Sequence, residues 1–485
     1  MEMSDIVHSL EDKSILITGS TGFLAKLFVE KMLRVQPKVK KLFLLVRAND
    51  ATSARRRVED EIASKELFKL LKEKYKESFN LFFWSKVTVV VGDTTSENLG
   101  IRDADLINVL WREIDFIVHS AATTRFNERY DVALNINTFG ARNIMLFAKN
   151  CARLQMLLHI STAYVTKEKE GIITEKLMES DELLLPKAEK EAELIEKKMK
   201  ELKNACASNK TIMFFMKELG MKRANKFGWP NVYSFTKAMG ELQAAKLKGS
   251  FPVAILRPTI ILSTYKEPFP GWIEGVRTMD KIIISYANGE IACIPANLDA
   301  TMDVIPGDMV VNAMFASMTS DYDPNLIPIY HVGSSSKNIL RFNMISDTTY
   351  KYFSIHPFTT KDGQLITVRK PFFFSNMFPF FIYMVFIYKL PIKVLLIVAT
   401  LLCSQRLKNQ YNKHNQAFNN IMLMVKAYNP YTHMLGRFDD TNTEILRMKM
   451  NRKDMEMFSF DPKPINWVQF LMDIHIPGLI KYGLN

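Results

Sequence analysis

The chain has 485 residues, of which 48% are hydrophobic and 24% charged, so it can form two or more packed domains and is not a disordered protein. Its net charge of +13 fits an anionic cofactor, substrate or membrane surface. Nucleic acid is not a predicted partner, because basic and acidic residues are interspersed and no zinc-finger or basic-region pattern occurs. The four scattered cysteines show no disulfide or metal spacing, which indicates a reducing compartment and no metal site.

The first predicted unit is a strand, a tight turn and a helix. The apolar run "SILIT" at Ser14–Thr18 is followed by "GSTGFLA" and then by residues with helical spacing. Glycines here let the backbone approach a pyrophosphate, which would lie against the free N–H groups of the helix N-terminus. Because a predicted strand lies this close to Met1, we expect no signal or transit peptide. The predicted cofactor-binding residues of this turn are Gly19, Thr21, Gly22, Phe23 and Leu24.

The second predicted strand, "KLFLLVR", ends at Arg47. It follows the glycine turn by about twenty residues, where a dinucleotide-binding fold places the residue that recognises the adenosine ribose. A guanidinium donates two hydrogen bonds to a 2′-phosphate, whereas a carboxylate would repel that phosphate. Arg47 therefore favours NADPH as the cofactor; the alternative is that it only ends a surface strand.

Four further apolar runs are predicted strands, and each ends in small or polar residues: at Asp93, Ala122, Thr162 and Thr259. Such regular spacing is typical of an α/β doubly wound parallel sheet, the Rossmann fold. Ligands of these sheets bind beyond the carboxyl ends of the strands. We therefore expect the cofactor cleft to be lined also by Asp93, Ala121, Thr162 and Pro258.

The stretch "GWPNVYSFTKAMGEL" predicts a turn followed by a helix that carries Tyr233 and Lys237. Residues four apart lie on one helix face, so the phenol and the ammonium are held side by side. Taken alone, the pair could be a half-buried aromatic residue and a solvated lysine. With a cofactor site upstream, it indicates a catalytic pair.

Five motifs occur in the order found in the extended short-chain dehydrogenase/reductase superfamily, which the chain resembles: "TGSTGFLA", "HSAA", "NINTFGARN", "IST" and "YSFTK". The blocks "LLVRAND", "GWPNVYSFTKAMGE", "DVIPGDMVVNAM" and "NWVQFLMDIHIPGL" narrow the resemblance to plant-type alcohol-forming fatty acyl-CoA reductases. The similarity covers nearly the whole chain. It implies NADPH-dependent reduction of a long-chain acyl-CoA to a primary alcohol through an aldehyde-level intermediate, with release of coenzyme A.

The resemblance also implies roles for the catalytic residues. Tyr233 would donate a proton to the substrate oxygen, which gains negative charge when hydride reaches the carbonyl carbon. Lys237 would lower the pKa of that phenol and hold the nicotinamide ribose. Thr162 would polarise the substrate oxygen, with Ser161 as the alternative, since neighbouring strand residues face opposite ways. No nucleophilic cysteine is required.

The predicted reductase domain spans 1–370 and contains an insertion at about 167–227. Apolar residues recur at helical spacing between Leu185 and Leu202, which predicts an amphipathic helix. We interpret this helix as a solvated cover; a lid over an acyl channel is the alternative.

The remaining residues, 371–485, are predicted to form a helical, membrane-associating domain. Pro371–Cys403 is the most hydrophobic stretch, and Lys389, Pro391 and Lys393 interrupt it. Each half is shorter than the roughly twenty residues of a membrane span, so we expect two helices lying in one leaflet. A buried hairpin or a wall of the acyl channel is the alternative. The resemblance implies the cytosolic face of the endoplasmic reticulum.

Two other functions fit the cofactor site. One is a membrane-bound hydroxysteroid-type dehydrogenase of the same superfamily, which would not explain the "IHIPGL" block. The other is a catalytically idle NADP-binding membrane scaffold. The sequence does not define the oligomeric state, the acyl chain length or whether aldehyde is released.

Overall fold

A seven-stranded parallel sheet forms the centre of the computed structural model, which describes residues 5–167, 170–177, 185–321, 323–359 and 363–484. The strands are β1 (Ser14–Thr18), β2 (Lys41–Val46), β3 (Val87–Val91), β4 (Phe116–His119), β5 (Met156–Ile160), β6 (Val253–Pro258) and β7 (Ile329–Val332). Their order in the sheet is β7-β6-β5-β4-β1-β2-β3, and every pairing is parallel. The predicted α/β doubly wound fold is confirmed.

Helices cover both faces of this sheet, which is why all residues of β1, β4 and β5 are buried. The main helices, in chain order, are α1 (Phe23–Val35), α2 (Ala51–Val58), α3 (Ala104–Glu113), α4 (Gly140–Ala148), α5 (Ala188–Asn204), α6 (Asn209–Lys226), α7 (Val232–Leu247), α8 (Thr278–Ala287), α9 (Gly307–Thr319), α10 (Phe342–Ile355), α11 (Met377–Leu401) and α12 (Gln405–Tyr428). Shorter helices include Ile6–Ser9, Lys69–Tyr75, Phe79–Lys86, Tyr130–Ala133, Thr441–Met448 and Arg452–Met457.

The strand order reverses at β1, which has β2 on one side and β4 on the other. Open α/β sheets bind ligands in the crevice at such a reversal, outside the carboxyl ends of the strands. Gly19 follows β1 directly and Ser120 follows β4, so the glycine turn lies at this crevice. Among the described residues, three small parallel pairs lie outside the main sheet: Ile260–Leu262 with Val304–Pro306, Cys293–Pro295 with Phe372–Phe374, and Ile172–Ile173 with Arg437–Phe438.

The insertion contains the predicted amphipathic helix as α5, followed by α6; residues 168–169 and 178–184 of this region lie outside the described residues. The hydroxyl of Tyr130 donates to Glu191 of α5 over 2.7 Å, and Arg223 of α6 pairs with the same carboxylate. Neither helix contributes to the large cavity described below. The position of α5 and α6 favours the covering interpretation over the lid.

The C-terminal region corrects the prediction of two helices within Pro371–Cys403. Helix α11 is continuous over 25 residues. A π-helical turn, Val385–Lys389, widens it just before Pro391, which accommodates the pyrrolidine ring without a break. The ammonium of Lys389 lies 5.9 Å from the ring centre of Phe418 on α12, so a cation–π interaction with the neighbouring helix stabilises the charge.

The buried-hairpin alternative is also wrong, because only 6% of the most hydrophobic part of α11 is buried. A short turn at 402–404 reverses the chain, and α12 packs along α11. The hairpin that exists is therefore formed by α11 and α12, and one side of α11 is exposed. By length and composition, α11 could cross a membrane.

Candidate active site

One cavity of about 1870 Å³ opens at the carboxyl ends of the strands and extends to α8, α11 and α12. All the site residues predicted from the sequence line it: Gly19, Thr21, Gly22, Phe23, Leu24, Arg47, Asp93, Ala121, Thr162, Tyr233, Lys237 and Pro258. The structure brings them together, while their individual roles remain predictions.

The glycine turn between β1 and α1 has the shape of a phosphate cradle. Gly19 adopts φ +66°, and a Cβ atom there would lie 2.7 Å from the backbone nitrogen of Ala121. Gly22 is the N-cap of α1 and offers no side-chain cap, so the first-turn N–H groups can donate to a phosphate. These residues fit the pyrophosphate of a dinucleotide.

The crevice beside β2 carries two guanidinium groups. Arg47 is exposed at the end of β2, and the Nη1 of Arg57 on α2 donates to its carbonyl oxygen over 2.7 Å. Arg57 also pairs with Glu61 over 2.8 Å and lines the cavity. Arg57 was not among the residues predicted from the sequence, although it lies in the basic run "ARRRV" on α2.

Asn231 holds the start of α7, because its side-chain oxygen accepts from the backbone N–H of Ser234 over 2.9 Å. Lys237 lies one turn after Tyr233, is 1% exposed and donates from Nζ to the carbonyl oxygen of Ile160 over 2.6 Å. Burial lowers the pKa of Lys237 to about 8, although the nearby Glu241 carboxylate raises it. The ammonium is thus still the main form at neutral pH.

Tyr233 is half-buried at the cavity wall, and burial raises its pKa above the ordinary value, while a side-chain hydrogen bond with Thr162 lowers it. The expectation that Lys237 lowers the pKa of this phenol is not met in this structure. Burial dominates at Tyr233, and the Lys237 ammonium is bonded to a backbone carbonyl. Tyr233 therefore keeps its proton at neutral pH, as a proton donor must.

The geometry favours Thr162 over Ser161 as the hydroxyl that works with Tyr233. Thr162 Oγ1 accepts from the N–H of Tyr164 over 3.3 Å and contacts Tyr233. Ser161 Oγ is buried without a hydrogen-bond partner among the described residues. Both hydroxyls line the cavity, so contact with Tyr233 distinguishes them.

Two neutral histidines lie in the sheet near Lys237. The rings of His119 and His159 stack with centres 5.2 Å apart, and Thr18 Oγ1 is 2.8 Å from His119 Nδ1. Burial, with the Lys237 charge, lowers the pKa of His119 to about 3 and that of His159 well below its ordinary value. These histidines are therefore core residues, buried within apolar strands.

An aromatic wall beside Tyr233 comes partly from the C-terminal region. Phe126 stacks on Tyr431 with ring centres 5.4 Å apart, meets Tyr428 edge-on at 5.5 Å, and lies 6.4 Å from Tyr233. Asn231 donates from its amide to the Tyr431 hydroxyl over 2.7 Å. No local pattern indicated the two C-terminal tyrosines, because about two hundred residues separate them from Tyr233.

The "IHIPGL" block is anchored to the cavity wall through His475. Its Nε2 is 2.9 Å from Asp280 Oδ1 on α8, and its Nδ1 accepts from the backbone N–H of Ser263 over 3.3 Å. Asp280 lines the cavity. The end of the chain thereby fixes α8, which is one side of the site.

A Rossmann sheet with this glycine turn and this Tyr, Lys and Thr group defines a nicotinamide-dinucleotide-binding reductase. Family models described as "Male sterility protein" match residues 17–314 and 387–485. The terminal reductase domain of the myxalamid biosynthetic pathway shares the fold, with a TM-score of 0.57 at 15% identity over 97% of this chain and 91% of that one.

Two curated plant relatives are similar over the full length. The chain is 45% identical to "Probable fatty acyl-CoA reductase 4" of Arabidopsis thaliana, covering 99% of each chain. It is 44% identical to "Alcohol-forming fatty acyl-CoA reductase" of Simmondsia chinensis, covering 100% of each. The chain belongs to the fatty acyl-CoA reductase family and is an oxidoreductase.

Proposed function

We propose that the protein reduces a long-chain fatty acyl-CoA with NADPH to a primary fatty alcohol and free coenzyme A, through an aldehyde-level intermediate. The observation that carries the proposal is a junction: one cavity is lined by the glycine turn, by Tyr233, Lys237 and Thr162, and by mostly apolar residues of α11 and α12. A hydride donor and a long acyl chain would meet at such a junction.

The dinucleotide end of the cleft supports NADPH. Gly19, Gly22 and the start of α1 would hold the pyrophosphate, and Arg47 with Arg57 would bind the 2′-phosphate. When bound, this cofactor supplies the hydride. The residues of the chain position the substrate carbonyl and control the proton.

The catalytic groups support reduction of a carbonyl. Tyr233 donates its proton to the oxygen that becomes negative, and Thr162 orients that oxygen. The Lys237 ammonium, present at neutral pH, adds positive charge where burial makes electrostatic interactions strong. Collapse of the hemithioacetal expels the thiol of coenzyme A, and the aldehyde is reduced at the same groups.

The charge pattern of the C-terminal region supports association of the protein with a membrane surface. From Gly363 to Phe438 the sequence has nine Lys or Arg residues and no Asp or Glu. The exposed side of α11 is apolar, with Val394 56% and Leu401 77% exposed. We place residues 371–485 as a membrane-associating domain on a reductase domain of 1–370, at the cytosolic face of the endoplasmic reticulum.

Vesicle sedimentation tests this placement. The protein should sediment with vesicles that contain phosphatidylserine more than with phosphatidylcholine vesicles, and salt should weaken the difference. Equal sedimentation with both would remove the electrostatic part of the proposal, and none with either would remove the membrane.

Turnover tests the reaction. The purified protein, in lipid vesicles with hexadecanoyl-CoA and NADPH, should form hexadecanol. Tyr233→Phe should lower the rate by about a hundred- to ten-thousand-fold while NADPH binding persists. Tyr75→Phe is the matched control, because Tyr75 packs on Phe82 and lies outside the cavity lining.

The other outcomes distinguish the alternatives. NADPH binding without turnover of any substrate would support the idle scaffold. Reduction of a steroid ketone but not of acyl-CoA would support the hydroxysteroid-type dehydrogenase. Near-normal turnover by Tyr233→Phe would contradict the role of the phenol.

A further inference from the structure

We propose that the groove between α11 and α12 binds the acyl chain and selects it by length, and that Leu395 sets the longest chain accepted. This inference rests on the proposed function and names the specificity-determining part of the same site. It is carried by the division of α11 into two faces, by the pairing of the helices and by the length of the groove.

One face of α11 lines the cavity, and the residues of that face recur on successive helical turns: Met384, Ile387, Tyr388, Pro391, Ile392 and Leu395. Val394, next to Leu395 in the sequence, lies outside the lining and is 56% exposed. The helix therefore has an inner face toward the cavity and an outer face toward the surroundings.

Helix α12 supplies the opposite wall with the same spacing, through His414, Phe418, Ile421, Met424 and Tyr428. The two helices run antiparallel because only the short turn at 402–404 joins them. The Lys389 ammonium lies over the Phe418 ring, which fixes the register near the middle of the pair. In this register, Leu395 lies toward the His414 end of the groove.

The two ends of the groove differ in what they meet. At one end, Tyr428 packs edge-on against Phe126, whose ring is 6.4 Å from that of Tyr233. At the other end, Leu395 and His414 lie toward the exposed tip of the hairpin, where Leu401 and Leu402 are 77% and 66% exposed. A carbonyl held at Tyr233 would therefore send its alkyl chain toward Leu395.

The lining residues of α11 and α12 include no Lys, Arg, Asp or Glu, although basic residues occur on both helices. Transfer of an alkyl chain from water into a groove is favourable where the wall of the groove is apolar, so this lining suits a hydrocarbon. Coenzyme A, with its phosphates, would lie at the cleft end and not in the groove.

The length of the groove indicates the chain that it fits. Fourteen residues separate His414 from Tyr428, which is about 21 Å along a helix axis. An extended alkyl chain advances about 1.25 Å per carbon, because C–C bonds of about 1.5 Å meet at about 111°. The groove alone therefore has the length of about seventeen carbons, so a ten-carbon chain whose carbonyl lies at Tyr233 would end well short of Leu395.

Leu395→Trp tests the assignment by shortening the groove at its far end. In vesicle-bound protein, kcat/KM for octadecanoyl-CoA should fall by roughly tenfold or more, while that for decanoyl-CoA stays unchanged, because the shorter chain stops before the new indole. Val394→Trp is the matched control: it adds the same side chain to the outer face of the same helix and should leave both values unchanged.

A second variant tests the same residue without adding bulk. Leu395→Ala should move the preference toward chains longer than eighteen carbons. An unchanged ratio of the two kcat/KM values in both Leu395 variants, or the same change in Val394→Trp, would overturn the inference. Absence of turnover by the wild-type protein with both substrates would instead refute the proposed function.

Discussion

Replacing Lys237 by Met should stabilise the protein and remove its activity. The Lys237 side chain is 1% exposed, and burial lowers the pKa of its amine from 10.5 to about 8. This difference corresponds to an unfavourable free energy of about 3 kcal/mol for holding the ammonium in the fold. Loss of the hydrogen bond to the Ile160 carbonyl costs about 1 kcal/mol. The net expected gain in unfolding free energy is about 2 kcal/mol.

The sign of the pH dependence follows from the lowered pKa. Below about pH 8 the amine is protonated in both the folded and the unfolded chain, so the full penalty applies. As the pH rises from about 8 to 10.5, the folded protein loses this proton first and the penalty disappears. The stabilisation by Lys237→Met should therefore be largest at pH 7 and small above pH 10.5.

Urea unfolding at pH 7 and pH 10.5, with the acyl-CoA reduction assay, measures both effects. Lys246→Met is the matched control, because Lys246 is exposed on the same helix and should leave stability and activity unchanged. A Lys237→Met variant that is less stable than the wild-type protein at pH 7 would refute the stability reasoning. One that keeps normal turnover would refute the catalytic role.

Three further substitutions give distinct readouts. Arg47→Glu should raise the KM for NADPH far more than that for NADH, because attraction to the 2′-phosphate becomes repulsion. Arg56 is exposed, and Arg56→Glu should change neither KM. Equal effects of Arg47→Glu on both cofactors would exclude the phosphate role. The fold disfavours the protonated form of His159, so the stability of the protein should fall as the pH drops below 6.5. His159→Leu should reduce that loss by up to about 2 kcal/mol at pH 5, as measured by urea unfolding. An unchanged dependence of stability on pH in this variant would contradict the prediction. Tyr431→Phe, which frees the Asn231 amide, should lower kcat/KM for acyl-CoA and leave the NADPH dissociation constant unchanged; weaker NADPH binding would contradict its place at the substrate side.

Much of the sheet was predictable because buried parallel strands are continuous apolar runs followed by small or polar residues. The runs before Gly19, Arg47, Asp93 and Thr162 all became strands of the central sheet. Strand β7, which has four residues, was missed. Its place beside β6 depends on packing that no local pattern records.

The site was predictable where a local motif contains its residues. The glycine turn and the Tyr233–Lys237 helix are such motifs, and the structure places both at one cavity. Tyr431 was not predictable, because only the folding of the C-terminal region onto Asn231 brings it there. The pKa of Tyr233 also depends on tertiary burial, which spacing along a helix does not report.

The break expected at Lys389 and Pro391 shows the limit of a rule based on one helix. The rule treats a charge and a proline as interruptions. In the fold, a π-helical turn precedes the proline, and Phe418 of α12 lies against the lysine. Knowledge of the partner helix was needed to predict α11 as continuous.

The central claim, that the protein reduces an acyl-CoA twice, is tested most directly by isotope transfer. Vesicle-bound protein would be incubated with hexadecanoyl-CoA and NADPH deuterated at its hydride-bearing carbon, and the product would be analysed by mass spectrometry. We predict hexadecanol with two deuterium atoms on the carbinol carbon and release of one free thiol per alcohol. Alcohol without deuterium, or no reduced product together with intact NADPH binding, would contradict the account.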